Sequence, residues 1–329
     1  MIALERRIWD DRRLAGLRYA ASGIGAAALT GTILDWLPGG ATVAGYATVA
    51  GRGLWGSARA VESALEAGDI STARELLPAL VGRDAGRLSS TEIVRAAVES
   101  VAENTVDGIV APALFTALGG ARGALVYRGI NTLDSMVGYR DGTYARFGWV
   151  SARVDDAANL VPARVTAALV AAVRPRAARE IWHAVRRDAP AHPSPNAGVA
   201  EAAFAAALGV RLGGTNSYHG GVEERPMLGP RSGRVPETAD IGHAVRCSQH
   251  VTVALLGGLT AAAVASHGRP RAGGREGFDT GRAGGQVEPR RRRVVIEPIR
   301  NARDTRFGET RVAEPVAERE PERGTEQAR

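Results

Sequence analysis

Between Ala96 and Asp141, acidic, amide and glycine residues crowd between apolar runs, and this alternation constrains the fold more than any other feature of the chain. An apolar helix that carries carboxylates and amides must cap with them, expose them, or turn them toward a shared polar interior. Glu99-Ser100-Val101-Ala102-Glu103-Asn104-Thr105 leads into Asp107-Gly108, and Asn131-Thr132-Leu133-Asp134-Ser135 follows two dozen residues later. Ser89 with Glu92 reads as a capping box. The helix it starts places Ile93, Val94, Ala97, Val98 and Val101 on an apolar face, with Arg95, Glu99 and Glu103 opposite. Asn104 and the Asp107-Gly108 turn are expected to end that helix. Arg95, Glu99 and Glu103 alone would suit a solvated face. Asn131 and Asp134, however, lie among residues that compete with the helical backbone, and such residues cap, turn or bind. Acidic groups gathered at a turn can hold a cation.

All 42 basic residues are arginine. Without lysine, neither a pyridoxal-phosphate Schiff base nor a Walker-type P-loop can form. The single Cys247 excludes an internal disulfide and a CxxC site, which fits a reducing compartment. At 329 residues and 45% apolar the chain can bury one large core or two ordinary ones. The net charge of +7 does not signal nucleic acid, because the arginines are not interleaved with aromatics. Residues 268–329 carry +4 of it in a Gly, Pro, Arg and Glu-rich stretch too poor in apolar residues to order itself. The expected division is a folded unit over 1–267 and a disordered tail over 268–329. Arginines flanking apolar segments beside anionic lipid account for the rest.

Tyr19–Leu34 and Ala41–Trp55 are apolar runs of small residues, each shorter than the ~20 residues of a membrane-crossing helix. They suit either a buried soluble hairpin or close helix packing in lipid. Pro112–Val126 is broken by Gly119-Gly120, which favours a bent or re-entrant helix. Helical spacing puts Asp155 and Asn159 on one side, beside Asp156, a donor set suited to magnesium or to a helix N-terminal charge bias. In His192-Pro193-Ser194-Pro195-Asn196-Ala197-Gly198, Asn196 can cap and Gly198 allows close backbone approach, so the loop could present amides to an anion or simply start a helix well. His243, Cys247 and His250 share a helical face but lack a fourth ligand, and no zinc site is expected. Val251–Ser266 is the last apolar run and is expected to be a terminal membrane helix.

Several of these strings, in order, resemble the adenosylcobinamide-phosphate synthases, or cobinamide synthases, known as CobD or CbiB. The resemblance rests on Glu99–Thr105, Tyr127-Arg128, Asn131–Arg140, Phe147-Gly148, Arg153–Asn159, His192–Gly198, Glu201–Phe204, Arg211–Gly214, Tyr218, Arg225-Pro226 and Leu228-Gly229. It runs from about Leu4 to Ser266. The family usually carries a further apolar helix with Gly-Asp-Pro and His-Pro motifs before this point, and the expectation is that this chain lacks it.

The resemblance implies an all-α, multi-helix integral membrane protein, multi-pass in the cell membrane, with Tyr19–Leu34 and Ala41–Trp55 spanning. Pro112–Val126 and Pro162–Val173 are expected to be re-entrant or buried, keeping residues 57–250 on the cytoplasmic side. It further implies an amide-forming ligase that joins (R)-1-amino-2-propanol or its O-phosphate to the free propionate carboxyl of adenosylcobyric acid. Mg2+ and ATP would activate that carboxyl, through an acyl phosphate. Carried over to this sequence, Glu99, Glu103, Asn104, Asp134 and Arg140 are the catalytic candidates. Arg128, Asn131, Ser135, Asn196, Gly198, Glu201 and Arg211 are candidates for substrate, and Asp107, Asp134, Asp155, Asp156 and Asn159 for metal. Expected partners are the corrinoid, the amine, membrane lipid and other late corrin-pathway enzymes, without nucleic acid. A membrane magnesium-dependent prenyl or phosphoalcohol transferase would also cluster Asp and Asn, but would repeat an acidic motif that this chain does not repeat. A non-catalytic membrane corrinoid-binding or transport component would need no ATP turnover.

Overall fold

The computed structural model describes residues 2–82, 85–138, 143–218 and 221–267, with the side chains of 216–218, 221–223 and 267 outside that description. The stretch expected to form a tail, 268–329, also lies outside it.

The elements are α1 (Ile2–Ile8), α2 (Arg13–Asp35), α3 (Gly40–Thr48), α4 (Gly51–Glu66), α5 (Ile70–Leu76), α6 (Ser90–Thr105), α7 (Ala111–Val137), α8 (Trp149–Ala158), α9 (Leu160–Val173), α10 (Ala178–Asp188) and α11 (Ala197–Leu208). An antiparallel hairpin follows, β1 (Leu212–Tyr218) with β2 (Gly221–Leu228), and α12 (Ala239–His267) closes the described chain. The architecture is all-α, as expected. The hairpin was not foreseen: its pairing shifts between Leu212 and Gly214, where Gly213 and Gly214 adopt left-handed φ of 85° and 90°. Glycines that loosen a strand by pattern here supply its irregularity.

α6 begins with the capping box of Ser89 and Glu92 and buries the apolar face read from its spacing, Ile93, Val94, Ala97, Val98 and Val101. These side chains join the main core, built with α4, α5 and α9 to α12 around Phe204, Leu77, Ile181 and Ile241. The α6 helix does not end at Asp107-Gly108. Residues Val106–Val110 form a π turn that runs on into α7. The turn changes the backbone pairing, and the Gly108 carbonyl accepts from the Ala50 N–H at 2.8 Å. Such one-turn bulges persist where they aim a side chain, here Asp107.

α7 folds back on itself. Gly119 (φ −134°, ψ 17°) and Gly120 (φ 59°, ψ −146°) leave helical geometry, and the rings of Phe115 and Tyr127 meet at 5.0 Å. Twelve residues of unbroken helix would separate them by about 18 Å. A side chain at position 123 would overlap the Phe115 carbonyl, so only glycine permits this approach of the two arms. The first amides of the returning arm are capped from another element: Asp35, at the end of α2, accepts from the Ala121 N–H at 2.6 Å and the Arg122 N–H at 3.1 Å. The bend read from Gly119-Gly120 is therefore a hairpin. It packs against a second one formed by α2 and α3, with Ala44, Ala121 and Ala124 buried between them.

Ala41–Trp55, expected as one crossing, is divided at Val49-Ala50 between α3 and α4. Among the described residues, two helical stretches are long and apolar enough to cross a membrane, Ser90–Val137 and Ala239–Ser266, and α8 with α9 could form a third, bent by 42°. The first of these contains the fold-back. Large apolar side chains stand exposed along α2, α3 and α12 and at the hairpin tips, including Leu29, Ile33, Tyr46, Val253 and Val264, with Trp36 81% and Leu118 89% exposed. Exposure on this scale suits lipid rather than water.

Candidate functional site

Three polar stretches far apart in sequence meet beside the π turn. Asp107 faces the charges of Asp155, Glu103 and Asp134, and the Asn131 side chain bridges Asp107 and Asp155. The π turn supplies Asp107, the returning arm of α7 supplies Asn131 and Asp134, and α8 supplies Asp155. Asn159, at the corner between α8 and α9, donates to Asp155 at 3.0 Å and accepts from the Tyr127 hydroxyl at 2.9 Å. The Asp155–Asn159 pairing read from helical spacing is thus present. Its other carboxylate oxygen, Asp155 Oδ1, is buried without a hydrogen-bond partner. Asp156, beside it, pairs with Arg153 at 3.3 Å instead.

Around this centre, Arg128 is exposed, with Nη1 3.5 Å from Asn131 Oδ1. Ser135 is exposed and donates to the Asn131 carbonyl, and Asn104 donates back along α6 to Ser100. Asn196 reaches the same corner from the other side, donating to the Asp156 carbonyl at 2.7 Å and accepting from Arg164 at 2.8 Å. It does not cap α11. The Ser194 hydroxyl accepts from the Asn196 and Ala197 amides and so answers the amides that an anion was expected to use. Ser194 prevails because it sits two residues before the cap position, within reach of both amides, while Asn196 is drawn off by Asp156 and Arg164.

A second acidic group lies on the polar face of α6. Glu99 is buried, accepts from the Gly213 N–H at 2.9 Å and stands 3.9 Å from Arg95. Arg95 in turn donates to the Gly213 and Thr215 carbonyls at 2.8 and 2.6 Å. Glu99 and Arg95 therefore hold the β-hairpin on α6. Glu201, wholly buried on the Ala-rich α11, faces Glu103 and Glu99, with His192 Nε2 3.6 Å from its Oε1. Burial foremost, and then the charges of Glu103 and Glu99, raise the Glu201 carboxyl well above the ordinary range, against the pull of Arg225. Burial lowers His192, with the Ser194 backbone opposing. Gly198 allows this packing, since a Cβ there would lie within 3 Å of the His192 side chain. Arg211 is partly buried, and its Nε has no hydrogen-bond partner. Arg140 lies outside the described residues.

His192, Tyr127 and Arg164 stand in this network without having been singled out as candidates. The first two sit inside strings that carry the resemblance, whereas Arg164 gives no sequence signal because it lies in an apolar helix. Among the described residues, no group of three or more His, Cys, Asp or Glu side chains is close enough to hold a metal by itself. Magnesium asks for less, one or two carboxylates with phosphate and water, and Asp155 with its orphaned oxygen beside Asp107 and Asp134 fits that demand.

Fold and site together define the class: an all-α protein, with helices long and apolar enough to cross a membrane, that gathers carboxylates and amides from α6 to α8 at one polar corner. The model of the CobD/Cbib protein family matches residues 1–248. The cobalamin biosynthesis protein CobD of Mycobacterium tuberculosis is 47% identical over 260 residues, covering 75% of this chain and 82% of that protein. The protein of the same name from Geobacter metallireducens is 46% identical over 236 residues, 68% of this chain and 74% of its own. The chain belongs to the CobD/CbiB family. No solved structure matches it.

Proposed function

We propose that this protein acts in cobalamin biosynthesis as a membrane ligase. In this reading it joins a propionate carboxyl of adenosylcobyric acid to 1-amino-2-propanol or its O-phosphate. The observation that carries the reading is the meeting of Asp107, Asn131, Asp134 and Asp155 around one point, beside an exposed Arg128. Amide formation from a carboxylate requires that the acid be activated and that anionic oxygens be held while an amine attacks. Asp155, with Asp107 or Asp134 beside it, would hold magnesium together with phosphate and water, and magnesium with ATP supplies the activation of the carboxyl when bound. Asn131 keeps Asp107 and Asp155 facing one another, and Tyr127 and Asn159 fix the rotamer of Asp155. Arg128 offers a planar fork of donors to propionate or phosphate oxygens. The exposed apolar surfaces suit a bilayer, and the cytoplasmic side, where ATP is available, is the side we assign to the site.

Complementation tests the reading. Expression in a strain lacking its own synthase should restore cobinamide formation, and the Asp155→Asn variant, expressed at the same level in membranes, should not restore it. Failure of the wild-type chain, present in membranes at the level of a working synthase, would overturn the assignment.

A further inference from the structure

Glu201 is an acidic group set in an apolar surrounding. Its neighbours on α11 are alanine, valine and phenylalanine, its relative exposure is 0%, and the group within hydrogen-bond reach of its carboxyl is the Glu103 carboxyl, which can answer it only when one of the two keeps its proton. A buried polar group left unanswered costs about 1–3 kcal/mol, and more when charged. Packing alone would be served better by alanine.

His192 comes from a different element, the loop before α11, and is equally enclosed, its side chain 2% exposed. Ser194 fixes the ring, its N–H and carbonyl each 3.1 Å from Nδ1, and Nε2 is left aimed at Glu201 without a hydrogen-bond partner. The gap of 3.6 Å is wider than a hydrogen bond. Around the pair stand Glu103 and Glu99 from α6 and Arg225 from β2. Glu99 is engaged by Gly213 and Arg95, so Glu201 and Glu103 are the carboxyls that face each other with the least compensation.

We infer that Glu201, His192 and Glu103 take a primary ammonium group, with Glu201 as its principal acceptor. An ammonium carries one positive charge and three N–H donors, which answers two carboxylate oxygens of Glu201 and one of Glu103. This inference rests on the amide-forming reading in one respect: it identifies the ammonium with the amine of the amino alcohol.

The test uses the full chain purified in detergent, with 1-amino-2-propanol titrated by calorimetry and, separately, varied as substrate. Glu201→Gln should weaken amine binding and raise its KM at least tenfold, while the KM for the corrinoid acid changes less than twofold. His192→Gln, which keeps a donor near Nε2, should weaken the amine by a smaller factor. Amine binding that depends on Glu201 in a protein without amide-forming activity would support the ammonium site and sink the ligase reading instead. Unchanged amine affinity and KM in both variants would overturn the inference.

Discussion

At the scale of single residues, the buried carboxyl and imidazole make stability depend on pH in opposite senses. Glu201 has a raised value in the folded chain, so its contribution is complete below the ordinary glutamate range and is lost as pH rises through the folded value. His192 has a lowered value, so its contribution is present above the ordinary imidazole range and is lost as pH falls through the folded value. Between mildly acidic and mildly alkaline pH, Glu201 should therefore cost up to about 1.4 kcal/mol for each pH unit. Glu201→Gln should remove that slope. Melting temperatures of the two proteins in detergent, compared from pH 5 to 9, should converge at the acid end and part at the alkaline end in favour of the variant. Parallel curves would mean that Glu201 is not the group held neutral.

Single residues also show how far a sequence reading reaches. Glu99 was legible as part of an acidic face, yet its partners are a backbone amide 114 positions away and Arg95. No helical spacing reveals a docked hairpin. Asn196 reads as a cap by type and position, and a neighbouring serine takes the role because tertiary partners claim the asparagine side chain. Asp155 with Asn159 was legible because both lie on one local helical stretch.

At the scale of elements, helix starts and apolar faces follow from local pattern, as the capping box and buried stripe of α6 illustrate. The π turn does not, because it shifts hydrogen bonds without needing any particular side chain. Gly119-Gly120 announces a break in α7 but not its angle, which is set by Gly123 against the Phe115 carbonyl and by Asp35 on the freed amides. The fold-back has a consequence for topology: the two ends of α7 lie on the same side, so Thr143 and Glu224 should be equally shielded from outside the cell. In a Cys247→Ser background, single cysteines at these two positions should both resist a membrane-impermeant thiol reagent in intact cells and both react after lysis. Labelling of Thr143→Cys alone in intact cells would show that α7 crosses and would refute the single-sided arrangement.

At the scale of the whole molecule, two packed helical hairpins carry exposed apolar tips while the polar corner assembles near their other ends, from the π turn, the returning arm of α7 and α8. Membrane character and membership of the CobD/CbiB family were both readable, the first from the resemblance and the last apolar run, Val251–Ser266, and the second from long ordered motifs, whereas Tyr19–Leu34 and Ala41–Trp55 are not among the described stretches long and apolar enough to cross a membrane. How the motifs meet was not, since that depends on three glycines, Gly119, Gly120 and Gly123, and on Asp35 from α2. The central claim is that this corner forms an amide. Its most direct measurement is conversion of adenosylcobyric acid by the purified protein in lipid, given 1-amino-2-propanol or its O-phosphate. The account predicts an amide product that requires amine, ATP and magnesium, with turnover falling at least a hundredfold in Asp134→Asn or Asp155→Asn. Corrinoid binding without any amide product under these conditions would contradict it.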